Sequence, residues 1–186
     1  MLRGLGFIFL VLLFSTYTLA QDAGSEIRTG KNLIKEGKSE EAKTLFEKEI
    51  KNGTFKAKED KAEAFLWYGV ALLKIGELAD SEEALQKSSK YRKKAHADTL
   101  YYQGIVEIAK GEKEAALAYF NRSIAADETH GASWFELGEL LLADKRVERA
   151  RIAFEMAIKH KCDKSETARA RIESIDEGKQ MTEGVR

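Results

Sequence analysis

The chain has 186 residues, 44% hydrophobic and 33% charged, with 31 basic and 31 acidic side chains and no proline. That balance gives no long-range electrostatic reason to seek nucleic acid or a membrane surface as partner. The absence of proline favours uninterrupted helices, and the single cysteine, Cys162, excludes an internal disulfide framework.

Residues 1–20 read as a targeting segment outside the fold. Arg3 is their only charge, Leu5 to Phe14 is an apolar run, and Thr18-Leu19-Ala20 places small residues before Gln21. A spanning helix needs about 20 apolar residues, and this run is shorter. No cysteine follows Ala20 to carry a lipid anchor. Export with cleavage leaves 166 residues and, with Arg3 gone, 30 basic against 31 acidic side chains. The mature chain is then expected in the periplasm or secreted, without a membrane span.

Residues 24–36 and 39–51 read as a first helix pair, with Ser39 as N-cap, acidic Glu40 and Glu41 behind it, and Asn52-Gly53 as the stop. A connector from Thr54 to Asp60 follows. The stretch AEAFLWYGVALLKIG, residues 62–76, is apolar on nearly every side, which predicts a helix buried from more than one direction. Asp80 and Glu83 have capping-box spacing at the start of its partner helix. That helix ends in Lys87, Lys90, Tyr91, Arg92, Lys93 and Lys94. Such a run is either a patch for an anionic partner or a solvated helix end whose cations suit the negative dipole terminus. Asn52-Gly53-Thr54 and Asn121-Arg122-Ser123 match the glycosylation sequon. The second lies inside a predicted helix, and both read as chance matches unless the source is eukaryotic.

The stretch from Trp134 to Ala157 organises the rest. Trp134, Leu137, Gly138 and Leu141 share one helical stripe, and Ala150, Phe154 and Ala157 share another on the next helix. Two antiparallel helices approach closely where small side chains meet, which Gly138 and Ala150 supply. This pattern resembles the tetratricopeptide repeat (TPR), W-x2-L-G-x2-Y followed by A-x3-F on a period of 34 residues. One period upstream stand Leu100, Gly104, Ala116 and Phe120, although Gln103 and Glu107 depart from the pattern. Further upstream come Phe65, Tyr68, Gly69 and Leu72, then Ala84, with Ser88 in the Phe slot and a turn from Gly76 to Ala84 three residues too long. The first unit carries Gly30, Leu33, Gly37, Ala42 and Phe46, with Glu26 and Thr29 departing. The resemblance covers residues 23–162 as four tandem repeats. It implies an all-α, right-handed solenoid of antiparallel helix pairs. Asp163 or Ser165 can open a last helix to about Glu177, on which Ala168, Ile172 and Ile175 form one apolar stripe. Such a helix, residues 163–177, caps the stack with a polar outer face, and 178–186 reads as a loose tail.

Little in the chain points to catalysis. His96, His130 and His160 are scattered over connectors and helix ends. His160 and Cys162 fall short of the three or four ligands zinc takes. No HExxH, GxSxG or P-loop spacing occurs. No enzyme activity, metal or cofactor is expected.

In TPR proteins the first helix of each pair lines a concave groove that holds a peptide. The residues after the Trp, Gly and Tyr slots are Ile27, Lys31 and Ile34, then Leu66, Val70 and Leu73, then Tyr101, Ile105 and Ile108, and finally Phe135, Glu139 and Leu142. The last nine form the candidate partner-binding site. Val70 and Ile105 stand in a row that is usually polar in the family. The Lys/Asn clamp of chaperone-binding members is not formed, so that ligand is not implied. Simple packing against neighbouring helices competes with this reading. The resemblance implies an adaptor that binds a protein or peptide, and the segment at residues 1–20 makes it an exported one. The alternatives are a self-associating envelope protein, with the chain as a homo-oligomer, and a helical-repeat RNA binder. The apolar row and the charge balance speak against RNA.

Overall fold

The computed structural model describes the backbone of residues 23–183 and the side chains of residues 23–177. The targeting segment read at 1–20 lies outside the described residues. Within them, all regular structure is helical. Helix α1 occupies 23–35. It is followed by α2 (Ser39–Asn52), α3 (Lys58–Ile75), α4 (Leu78–Tyr91), α5 (Ala97–Lys110), α6 (Lys113–Ala126), α7 (Gly131–Ala143), α8 (Val147–Lys159) and α9 (Ser165–Glu183). Helices α1–α4 form one compact unit that ends at Lys93, and α5–α9 form a second from Lys94.

Each helix pair repeats the same contacts at the same spacing. A glycine in the first helix faces a large side chain sixteen positions on: Gly30 meets Phe46, Gly69 meets Leu85, Gly104 meets Phe120 and Gly138 meets Phe154. All four large residues are fully buried. A Cβ on any of these glycines would lie within 3 Å of the opposing side chain, so the helices approach as closely as they do only because the position is bare. Twelve positions after the glycine comes a small buried residue, Ala42, Ser81, Ala116 or Ala150.

The turn inside each helix pair closes in the same way. Seven positions after the glycine, Gly37, Gly76, Gly111 and Lys145 have φ of 79°, 86°, 85° and 59°. The next residue, Lys38, Glu77, Glu112 or Arg146, donates its backbone N–H to the carbonyl five positions back, at 2.8–2.9 Å. This is the Schellman closure, which satisfies carbonyls that the helix end leaves open.

That register corrects the reading of the second pair. Its turn is not three residues longer. Leu85, not Ser88, fills the Phe slot, and Ser81, not Ala84, fills the Ala slot. Ser81 Oγ donates to the Gly69 carbonyl at 2.7 Å, so the small polar residue brings its own acceptor. Ser88 is fully buried and donates to the Ala62 carbonyl at 2.7 Å. Its counterpart Ser123 donates to the Ala97 carbonyl at 2.8 Å. Ser88 and Ser123 thereby tie their helices to the N-terminal part of the partner helix.

The expected caps also differ. Ser39 is the first residue of α2 rather than its cap, and Lys38 precedes it without a side-chain hydrogen bond. Helix α4 begins at Leu78, so Asp80 lies in the first turn and forms no capping box. The connector before α3 ends at Ala57 and carries Phe55, 3% exposed, into the core with Ile27 and Phe46. Helix α3 is buried on several sides, as its composition predicts. At the other end, α9 runs past Glu177 to Glu183. Its Ala168 and Ile175 are buried in the core formed by α6, α7 and α8, and Ile172 packs against it.

Candidate partner-binding face

In the α1–α4 unit the first-helix residues divide by burial. Leu66 and Val70 are core residues, 0% and 1% exposed, whereas Leu73 is half-buried. Ile27 is buried in the α1–α3 core, and Ile34 packs against it. Lys31 is engaged: its Nζ lies 4.4 Å over the Trp67 ring and 3.6 Å from Glu63. Glu63 also accepts from Trp67 Nε1 at 2.8 Å and from Arg92 at 3.0 Å. Burial works to raise the Glu63 pKa, but these donors and the Lys31 charge outweigh it and hold the carboxyl below its ordinary value. Part of the basic run at the end of α4 is therefore spoken for. Arg92 serves Glu63, and Lys87 pairs with Glu83 at 2.6 Å. Tyr91 stacks on Phe65 with centroids 5.8 Å apart.

The α5–α9 unit holds the other six candidates. Tyr101 packs among Tyr102, Phe120 and His130, with ring centroids 5.0, 6.0 and 5.3 Å away. Burial, with the Glu136 carboxylate nearby, pushes its hydroxyl well above the ordinary pKa, so it remains a neutral donor. Phe135 is 5% exposed, against Phe154, with Lys164 Nζ 4.8 Å over its ring. Glu139 accepts from Arg171 of α9 at 2.8 and 3.3 Å. Ile105 and Leu142 are half-buried on the same core as Tyr101. Ile108 is 37% exposed. The open apolar row is thus Ile105, Ile108 and Leu142, and the α7 end of the face is occupied by Arg171 and Lys164.

The histidines act as helix caps, a role the sequence reading missed. His96 Nδ1 accepts from the Thr99 N–H ahead of α5, and His130 Nδ1 accepts from the Ser133 N–H at 3.2 Å ahead of α7. His130 Nε2 lies 3.0 Å from Asp98, tying α5 to the start of α7. The signal was the spacing of 34 residues between them, which matches the repeat period. His160 Nε2 is buried with no hydrogen-bond partner among the described residues. Among those residues no group of three or more His, Cys, Asp or Glu side chains is placed to hold a metal ion. No described helix is long and apolar enough to cross a membrane.

A chain of helix pairs closed by one repeated glycine contact, with an apolar row on its first helices, defines a helical-repeat protein. The Tetratricopeptide repeat model matches residues 27–95, 73–131 and 95–166, so the chain belongs to the tetratricopeptide repeat family. Two solved structures of MamA share the fold. One is 24% identical with a TM-score of 0.63 over 81% of this chain and 84% of its own. The other is 22% identical with a TM-score of 0.65 over 89% and 86%. YrrB, described as a TPR protein with an unusual peptide-binding site, has a TM-score of 0.58 at 17% identity, over 87% of this chain and 79% of its own. A curated relative from Arabidopsis thaliana, the peptidyl-prolyl cis-trans isomerase PASTICCINO1, is 35% identical over an alignment of 122 positions that covers 60% of this chain. The chain matches 19% of that protein's length.

Proposed function

We propose that the chain is an exported adaptor that binds a polypeptide partner along the face of its first helices. The observation that carries this reading is the set of apolar side chains Ile105, Ile108 and Leu142 on first helices: Ile105 and Leu142 pack against one core yet stay half-buried, and Ile108 is exposed. Taking such a side chain fully out of water is worth about 1.5–3 kcal/mol, and each of these, already partly covered, contributes a fraction of that, so a partner covering all three has a driving force without a charge clamp. Tyr101 and Phe135 form the wall, and Glu139 with Arg171 supplies a polar end. Leu66, Val70 and Leu73 hold the same register in the α1–α4 unit, where Leu73 offers the accessible surface. The family fold supports a scaffold role, and YrrB lends the precedent of a peptide ligand. Export rests on the apolar run from Leu5 to Phe14 and the small residues before Gln21.

A photo-crosslinking residue at Ile108 in the full chain tests the face. A heterologous polypeptide crosslinked there supports the adaptor, whereas a second copy would make the chain self-associating. N-terminal sequencing of the chain from cell fractions tests export, with Gln21 as the expected first residue. A chain that keeps Met1 in the cytoplasmic fraction would overturn it.

A further inference from the structure

A second cleft, separate from the first-helix face, opens among α6, α7 and α8. It holds about 340 Å³, at the small end of the range of roughly 300–1,000 Å³ typical of ligand sites. Its walls are Leu117 of α6, Trp134 and Leu137 of α7 and Ile152 of α8, with Arg146 and Arg149 at the rim. None of these residues belongs to the face discussed above. The Trp134 indole N–H is already donated to the Glu128 carbonyl at 2.9 Å, so the cleft receives only its apolar ring. Ile152 is 56% exposed, although its neighbours Ala153 and Phe154 are buried. Its side chain lines the cleft and extends the apolar surface that a ligand there would cover.

The arginines select the ligand. Neither Arg146 nor Arg149 makes a side-chain hydrogen bond or ion pair among the described residues, while Arg151, on the same helix, pairs with Asp176 at 2.8 Å. Two guanidinium groups with no partner among the described residues, at the lip of an apolar cleft, complement a carboxylate next to a bulky apolar side chain. We propose that this cleft binds an acidic–apolar peptide segment, with one or two apolar side chains between Trp134 and Ile152 and a carboxylate held by Arg146 and Arg149. The chain would then have two binding faces and could join two partners.

The test is selection of a random displayed peptide library on the full chain. Enriched peptides should place Asp or Glu beside Leu, Phe or Trp. A synthetic peptide of the enriched sequence should shift the emission of Trp134 in a Trp67→Phe background. Ile152→Asp and the pair Arg146→Glu, Arg149→Glu change exposed side chains, so both should stay helical by circular dichroism. Each should weaken that peptide roughly tenfold or more, whereas Ile108→Asp should leave it unchanged. Enrichment without acidic residues, or equal binding to parent and cleft variants, overturns the proposal. So does loss of binding with Ile108→Asp alone, which would assign the peptide to the other face. If the parent elutes as a dimer that Ile152→Asp converts to monomer, the occupant is a second copy and the peptide reading falls.

Discussion

Leu85 holds its Cγ 2.8 Å from where a Cβ on Gly69 would stand, so α3 and α4 meet through the same contact that Gly138 and Phe154 make between α7 and α8. This pairing gives the first prediction. Leu85→Ala empties a fully buried site and should cost about 2–5 kcal/mol. Ser88→Phe is the sharper variant. If Ser88 occupied the Phe slot, the change would restore a family residue and stabilise the chain. In this register it overpacks the core and removes the Ser88 hydroxyl bond to the Ala62 carbonyl, so the urea midpoint should fall. A Ser88→Phe chain as stable as the parent would contradict the register.

The second prediction concerns Lys145. It stands where the other three pairs have glycine, at φ of 59°. A left-handed conformation costs a residue with a Cβ about 1–2 kcal/mol, and glycine gives back part of that through its freer unfolded state. Lys145→Gly should therefore raise stability by up to about 1 kcal/mol. Lys145→Ala keeps the Cβ and should not. Equal melting temperatures for the Gly and Ala variants would count against strain at this turn.

These two sites also show how far the sequence could be read. The slots of Gly138, Ala150 and Phe154 are legible because their letters match the family pattern, although it is the Phe154 ring, not Ala150, that lies nearest Gly138. Leu85 and Ser81 do not match the family letters Phe and Ala, whereas packing asks only for a large apolar and a small residue at fixed spacing. The roles of Ser88, Ser123, His96 and His130 depend on which carbonyl or N–H a neighbouring helix end presents, and no single-helix pattern contains that. Their recurrence at 34 or 35 residues was the trace available. On the candidate face, helical register places Leu66, Val70 and Glu139 correctly on first helices. It does not reveal that Leu66 and Val70 are core, or that Arg171 reaches Glu139, because these follow from tertiary packing.

Glu63 gives the third prediction. Its folded pKa lies below the ordinary value because Trp67, Arg92 and Lys31 together outweigh burial. A depressed folded pKa contributes stability that is fully present above the unfolded pKa of about 4.3 and is lost as pH falls through the folded value. Urea midpoints of the parent should thus decline between about pH 5 and pH 3 more steeply than those of Glu63→Gln. Parallel declines would remove Glu63 from the acid response.

The fourth prediction tests α9. Ala168 and Ile175 are buried on the α6–α8 core, and Asp176 accepts from Arg151 at 2.8 and 3.3 Å. Truncation after Asp163 uncovers that apolar face, and such faces promote association. The truncated chain should melt at a lower temperature or elute as aggregate. If it remains monomeric with an unchanged melting temperature, α9 does not seal the unit.

The last prediction separates a binding face from a merely packed one. Ile105 is half-buried against the α6–α8 core and Ile108 is 37% exposed one turn further along α5. Ile105→Asp places a charge in the middle of the apolar row but also touches the core, so lost binding alone could reflect damage to the fold. Ile108→Asp places the same charge where water already reaches the side chain, and surface changes of this kind usually stay within about 0.5 kcal/mol. The face reading expects both variants to lose the partner crosslinked at position 108, with Ile108→Asp retaining parental helicity and melting. A packing role alone expects Ile105→Asp to destabilise the chain and Ile108→Asp to leave capture intact. Capture by both variants would move the site off this face, and the cleft lined by Trp134 and Ile152 would then be the surface to probe with Ile152→Asp.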